Sequence, residues 1–321
     1  MTKALICGVS GQDGAYLAKL LIGKGYEVWG TSRDAQTASF ANLHALGIAQ
    51  KIRTVSMAPG DFRSTLQAIE DARPDEIYSL AGQTSVGLSF EQPAETIESN
   101  LSSTLNMLEA IRFLNRPIRF YHAGSSECFG DTGNIPASET TPFQPRSPYA
   151  VAKAASHWLV ANYRSAYKLH ACTGILFNHE SPLRPRRFVT SKIARAAVDI
   201  FHGHQSTVLL GDLSVQRDWG WSPEYVEAMW AMMQIAEPAD FVIATDDSHS
   251  LEEFVACAFA EVGLDWRKHV VQDPSLVRRT EIRFSGGDPS KAHRELGWQA
   301  RMTMPDVVKQ MVRALSAVHP V

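Results

Sequence analysis

The 321-residue sequence predicts an α/β fold: a doubly wound parallel sheet followed by a smaller, mainly helical C-terminal lobe. Three observations predict it. Short β-branched or aromatic runs alternate with helix-length segments throughout the first half. A glycine cluster follows the first of these runs at residue 8. After about Asn178 the spacing of apolar residues becomes mostly helical.

In chain order, strands are predicted at Ala4–Cys7, Glu27–Thr31, Ile52–Val55, Glu76–Leu80, Ile118–His122 and Gly174–Phe177. Helices are predicted at Gly14–Gly23, Ser64–Asp71, Pro93–Phe113 and Tyr149–Tyr167. Strands separated by whole helices need right-handed crossovers, which make the sheet parallel. The strand runs are apolar on both faces, as in sheets covered by helices on both sides. The stretch Glu180–Arg187 reads ESPLRPRR, and its prolines exclude a strand or a helix interior. Later helices are predicted at Thr190–His202, Pro223–Ala236, Leu251–Val262, Pro289–Leu296 and Met304–Ala314. One run, Phe241–Ala244, reads as a strand that rejoins the sheet. The predicted division is therefore residues 1–178 and a discontinuous second lobe over 179–321.

Composition narrows the function. Hydrophobic residues make up 45%, charged residues 20%, and the formal net charge is −3, as in an ordinary globular chain. No basic run points to nucleic acid or a membrane surface, and no apolar run approaches the roughly 18 residues of a membrane span. The start, Met1–Gly8, runs directly into a strand pattern, which predicts a cytoplasmic protein. Cys7, Cys128, Cys172 and Cys257 form no paired motif. Cys7 and Cys172 read as buried hydrophobes, and no basic neighbour activates Cys128. His202 and His204 resemble metal-ligand spacing but sit past a helix end with Gly203 between them, so no metal is predicted. Trp219, Trp221 and Tyr225 read as core or pocket wall.

The glycine cluster is Gly8-Val9-Ser10-Gly11-Gln12-Asp13-Gly14. It joins a strand to a helix, where the backbone must turn sharply and a pyrophosphate can lie against free amides and the positive helix end. That predicts a Rossmann dinucleotide site built on Gly8, Gly11, Gln12, Asp13 and Gly14. At the end of the second strand Arg33 could pair with a 2′-phosphate, favouring NADP, while Asp34 could take the role an acid has in NAD sites. The turn at Gly60-Asp61-Phe62 could meet an adenine edge, or Asp61 could simply cap the next helix.

Tyr149 and Lys153 are four residues apart and share a helix face. A nearby ammonium favours phenolate, which makes tyrosine usable as a base toward an alcohol. Upstream, Ser125 or Ser126 can hydrogen-bond a reacting oxygen at the sheet's carboxyl edge. Glu127 is either a local cap or a base able to remove a proton α to a carbonyl.

The sequence resembles the extended short-chain dehydrogenases, and within them the GDP-mannose 4,6-dehydratases. The resemblance is carried by GVSGQDGAY at Gly8–Tyr16, FEQP at Phe90–Pro93, TPFQPRSPYAVAK at Thr141–Lys153, GILFNHESP at Gly174–Pro182, FVT with Lys192, RDWG at Arg217–Gly220, YVEAMW at Tyr225–Trp230 and GDPSKA at Gly287–Ala292. It implies that Tyr149 removes the C4 hydroxyl proton of a hexose, with Lys153 tuning it and Ser125 holding the oxygen. Hydride would pass from C4 to the nicotinamide. Glu127 would then take the acidified C5 proton and assist loss of the C6 hydroxyl as water, and the hydride would return to C6.

The same resemblance adds Leu80 to the cofactor site. It assigns Ser85, Asn178, Glu180, Lys192, Arg217, Arg278 and Glu281 to a GDP-sugar, making the second lobe a substrate lobe. The two arginines suit diphosphate, although each of these residues also has a purely structural reading. His179 is expected to pack or support rather than react. A homodimer or homotetramer is implied, through Pro93–Phe113 and Tyr149–Tyr167. The chain departs from the family at Asp34, at Leu183–Arg187, at Arg279 and at Arg283. Another nucleotide sugar such as a GDP-heptose, or an epimerase or reductase on the same scaffold, is the alternative.

Overall fold

A computed structural model describes residues 1–317. Strands lie at Lys3–Cys7 (β1), Glu27–Ser32 (β2), Arg53–Ser56 (β3), Glu76–Ser79 (β4), Arg119–Ala123 (β5), Ala171–Leu176 (β6), Asn178–Glu180 (β7), Val208–Leu210 (β8), Gln216–Trp221 (β9), Phe241–Ile243 (β10), Ser248–Ser250 (β11), Val270–Gln272 (β12) and Phe284–Ser285 (β13). Seven of them form a parallel sheet in the order β10-β6-β5-β4-β1-β2-β3. The register places Cys7 between Thr31 and Ser79, and Ala123 opposite Gly174. Carboxyl ends of β1, β2, β4 and β5 therefore open on one edge.

Alternation along β1 divides the core, because successive side chains of a strand point to opposite faces. Ala4 and Ile6 pack with Leu17, Leu21, Tyr225 and Met229, from helices Gln12–Gly23 and Ser222–Met232. Leu5 and Cys7 pack with Ile69, Leu108 and Val160, from helices Phe62–Ala72, Ser103–Leu114 and Pro148–Tyr167. Both faces are thus covered, and the apolar strand composition follows. A separate core joins helices Val189–Phe201, Leu251–Glu261 and Met304–Ser316 through residues such as Ala197, Phe254 and Val308.

Three features differ from the sequence expectation. The helix predicted across Pro93–Phe113 is interrupted by a π-helical turn over Glu98–Ser102. There the buried Asn100 amide donates to the carbonyls of Gln83 and Thr96, and such turns commonly mark functional positions. The strand predicted at Gly174–Phe177 begins earlier, at Ala171. Small strands also punctuate the second lobe: β7, β11 and β13 all pair with β9, and β8 pairs with β12. They are only two to six residues long and too short for a clear alternation. Residues 318–321, the end of the predicted second lobe, lie outside the described residues. No described helix is long and apolar enough to cross a membrane.

Candidate active site

The glycine loop turns tightly at the end of β1. Gly8 has φ +89°, and a Cβ there would come 3.0 Å from the Ala81 nitrogen just past β4. A Cβ on Gly14 would overlap the Gly8 carbonyl, so the helix starts hard against the turn. Gly11 is its N-cap and brings no side chain to the amides, leaving the first-turn N–H groups oriented as an anion site. This cradle fits a pyrophosphate. Leu80 continues beside it, its amide donating to the Cys7 carbonyl at 3.0 Å.

The side chains of Gln12 and Asp13 are bolted to β7 instead of facing outward. Gln12 Nε2 donates to the His179 carbonyl at 3.1 Å and Ser181 Oγ donates to Gln12 Oε1 at 2.8 Å. Asp13 accepts from Ser222 Oγ and pairs with His179 Nε2, both at 2.9 Å. The cofactor expectation for these two residues is thereby narrowed to their backbone amides. Asp61 caps its helix, accepting from the Ser64 amide at 2.6 Å, and Phe62 beside it is exposed. At the end of β2, Arg33 is exposed while Asp34 Oδ1 accepts from the amides of Gln36 and Thr37 at 2.9 and 3.3 Å.

Ser125, Glu127, Tyr149 and Lys153 converge just beyond β5. Ser147 caps the helix that carries Tyr149 and Lys153, accepting from the Ala150 amide at 3.1 Å. Ser125 Oγ accepts from the Glu127 amide at 3.3 Å, so Glu127 rides on a short turn that Ser125 caps. Burial raises the Tyr149 phenol above its ordinary value and Ser125 offsets part of this by hydrogen bonding; Cys128 and Glu127 raise it further. Lys153 Nζ donates to the Ala123 carbonyl at 3.0 Å and stands 5.9 Å from the Tyr149 ring centroid. Burial lowers the ammonium to about 8.

Beyond this group lies a set of alternating charges. Arg278 reaches Glu127 at 3.5 Å, and Arg217 donates to Glu281 at 3.0 Å. Arg217 is buried on β9, and its other terminal nitrogen donates to the Gln216 carbonyl at 2.8 Å. A hydroxyl, a carboxylate, a phenol and an ammonium therefore sit beside two guanidinium groups, at the sheet edge where doubly wound folds bind ligands.

The sequence matches the family profile described as GDP-mannose 4,6 dehydratase over residues 5–311. The chain belongs to the GDP-mannose 4,6-dehydratase family. It is 44% identical to GDP-mannose 4,6 dehydratase 1 of Arabidopsis thaliana, over 96% of this chain and 88% of the relative. It is likewise 44% identical to the GDP-mannose 4,6-dehydratase of Sinorhizobium fredii, over 97% and 95%. In fold it is similar to DesIV, a dTDP-glucose 4,6-dehydratase from Streptomyces venezuelae solved with NAD and TYD. The TM-score is 0.86 at 20% identity, covering 99% of this chain and 97% of that one. It is also similar to RMD from Pseudomonas aeruginosa complexed with NADPH, with TM-score 0.82 and 22% identity, over 99% and 100%.

Other members of the predicted dehydratase site are placed as follows. Asn178 is half-buried on β7. Ser85 caps helix Val86–Glu91, accepting from the Leu88 amide at 3.3 Å. Lys192 is exposed and donates to the Leu209 carbonyl at 2.6 Å. Glu180 contradicts its expected role: it is 1% exposed, accepts from Thr190 Oγ1 at 2.8 Å, and pairs with Arg184 at 3.1 Å. With its carboxylate satisfied internally, it reaches a sugar only indirectly.

Sequence reasoning missed Arg184, whose charge acts on both Asp13 and Tyr149. Its guanidinium lies 3.8 Å over the Phe188 ring. The signal was the proline-arginine run Leu183–Arg187, which marks a departure from the family without revealing where the arginines point. Among the described residues, no group of three His, Cys, Asp or Glu side chains is placed to hold a metal ion.

Proposed function

We propose that this chain is a GDP-mannose 4,6-dehydratase that converts GDP-D-mannose to GDP-4-dehydro-6-deoxy-D-mannose and water. Family membership over nearly the whole chain supports the substrate. The observation that carries the chemistry is the convergence of Glu127 with Ser125, Tyr149 and Lys153. A simple reductase has no use for that carboxylate.

In this reading Tyr149 accepts the C4 hydroxyl proton while Ser125 holds the C4 oxygen and Lys153 supplies the neighbouring positive charge. Glu127 removes the proton at C5, which the C4 carbonyl has made acidic, and returns a proton to the departing C6 hydroxyl so that it leaves as water. Arg217 and Arg278 grip the diphosphate by their planar forks, with Glu281, Lys192, Asn178 and Ser85 around the nucleotide and sugar. A nicotinamide dinucleotide held by the backbone of Gly8–Gly14 would supply the hydride acceptor for C4 and the donor for C6, so the reaction would have no net redox change.

NADP is the preferred dinucleotide in this proposal. Arg33 is exposed at the tip of β2, and Asp34 has turned one oxygen onto the next two amides. Residues 1–178 with the strand near 241–244 would hold the dinucleotide, and most of 179–321 the sugar nucleotide. A homodimer or homotetramer is proposed from the exposed Leu105 and Phe113 on one helix and Val151 and Trp158 on another. Spacings of seven and eight residues put each pair on one helical face. Four unpaired cysteines fit a reducing, cytoplasmic setting.

The test is incubation of the purified chain with GDP-mannose, alone and with added NADPH, followed by mass spectrometry and by absorbance at the reduced-nicotinamide band. A product lighter by one water, with no NADPH consumed, supports the proposal; steady NADPH oxidation or an unchanged sugar refutes it.

A further inference from the structure

His179 lies on β7 with both ring nitrogens against oxygens. Nδ1 is 2.7 Å from the Phe177 carbonyl, and Nε2 is 2.9 Å from Asp13 Oδ2. A carbonyl can only accept, and so can a carboxylate. A neutral imidazole has one N–H and would leave one nitrogen lone pair facing an oxygen lone pair in a buried place. With Asp13 ionised, as its lowered value keeps it, only the doubly protonated ring satisfies both contacts.

The surroundings agree with a cation. From helix Ser222–Met232 the Tyr225 ring stacks on His179 with centroids 4.5 Å apart at 23°, and an aromatic face attracts a positive ring. From the glycine loop Asp13 brings its charge. From β7 itself Glu180 adds a negative charge, and from the segment beyond it Arg184 adds an opposing positive one. Burial alone would lower the His179 value, yet the Asp13 charge and hydrogen bond raise it above the ordinary histidine range. Asp13 is itself well supplied with donors, from His179, Ser222 and Gln12.

We propose that His179 is a positioning residue held as a buried imidazolium, which fixes Asp13 of the glycine loop against the strand that carries Asn178. This rests on the reading of the glycine loop as the dinucleotide site. The pair joins residues 166 positions apart and ties the loop that would cradle the pyrophosphate to the strand that would meet the sugar. Retention of the dinucleotide through oxidation, elimination and reduction then depends on one proton. Because the folded value is raised, the tie is complete below the ordinary histidine value and is lost as pH rises through the raised one.

The full chain, labelled with 15N at histidine, reports the ring directly. At neutral pH the His179 signals, assigned by their loss in His179→Gln, should show both nitrogens protonated. A neutral tautomer overturns the proposal. Asp13→Asn keeps the shape but removes the charge, and should let His179 lose its proton at lower pH; an unmoved titration also overturns it. NADPH affinity of the wild type should weaken on the order of tenfold from about pH 7 to about pH 10, whereas His179→Gln should bind weakly and without that dependence. Identical pH profiles of wild type and variant overturn the coupling. A wild type that binds no dinucleotide at any pH overturns the reading of the loop and the retention it supports. A neutral His179 in a chain that binds dinucleotide overturns this proposal alone.

Discussion

The Arg278 guanidinium lies 3.5 Å from the Glu127 carboxylate, so the proposed base touches one of the two arginines assigned to the diphosphate. Substrate binding and proton abstraction therefore compete for one contact. On the proposed roles, Arg278 would shift toward phosphate oxygens before Glu127 is free to meet a carbon-bound proton.

Glu127→Gln separates the two roles. An amide of the same shape cannot take a proton, so water loss should fall by roughly a hundredfold to ten-thousandfold, the usual worth of a positioned base. Bound dinucleotide should still become reduced on adding GDP-mannose, because oxidation at C4 does not use Glu127. The side chain of Arg278 is 37% exposed, so losing this ion pair should cost at most about 1 kcal/mol of stability. Mass spectrometry and absorbance at the reduced-nicotinamide band check both parts; wild-type turnover in the variant refutes the assigned role.

Arg217 should behave differently. It is buried and donates to both Glu281 and the Gln216 carbonyl, and a lysine cannot reproduce that fork. Arg217→Lys should raise KM for GDP-mannose by about tenfold, on the order expected for one lost charge-assisted hydrogen bond, with kcat changed much less. Initial-rate kinetics decide this. A variant that loses kcat at unchanged KM would move Arg217 from binding to the chemical step.

The parts legible in the sequence are those that local spacing encodes. Gly8 to Gly14 and Tyr149 to Lys153 each lie within one turn or one helix, so the backbone geometry of a single element places them. The continuous apolar run of β1 likewise announced a sheet covered on both sides. Contacts between distant segments left no such trace. Asp13 meets His179, Arg217 meets Glu281 and Arg278 meets Glu127 only after the second lobe folds back over the sheet edge. The π turn at Asn100 was hidden because hydrogen bonds to Gln83 and Thr96, not local propensity, impose it.

Asp61 allows the two sequence expectations for its turn to be separated. Its carboxylate accepts from the Ser64 amide at 2.6 Å, which is an N-cap bond. Asp61→Ala should destabilise the fold by about 1 kcal/mol. If capping is its whole role, dinucleotide affinity will be unchanged once the variant is folded. Calorimetry with a fluorescence titration of NADPH checks the pair of outcomes, and a large loss of affinity without loss of stability would restore the adenine contact.

Lys153 is the residue where function and stability oppose each other most directly. It is 5% exposed, and burial lowers its ammonium from 10.5 to about 8. A cation whose folded value lies below its unfolded value costs stability wherever it is charged in both states. The penalty is therefore complete below about pH 8 and fades as pH rises toward 10.5. Its size is on the order of 3 kcal/mol, against about 1 kcal/mol for the bond to the Ala123 carbonyl. Lys153→Met should thus abolish turnover yet melt several degrees higher than wild type at pH 7, and the advantage should vanish near pH 10. Calorimetry at the two pH values tests the sign. A methionine variant that is less stable at neutral pH would mean that the buried ammonium is not the burden its surroundings make it.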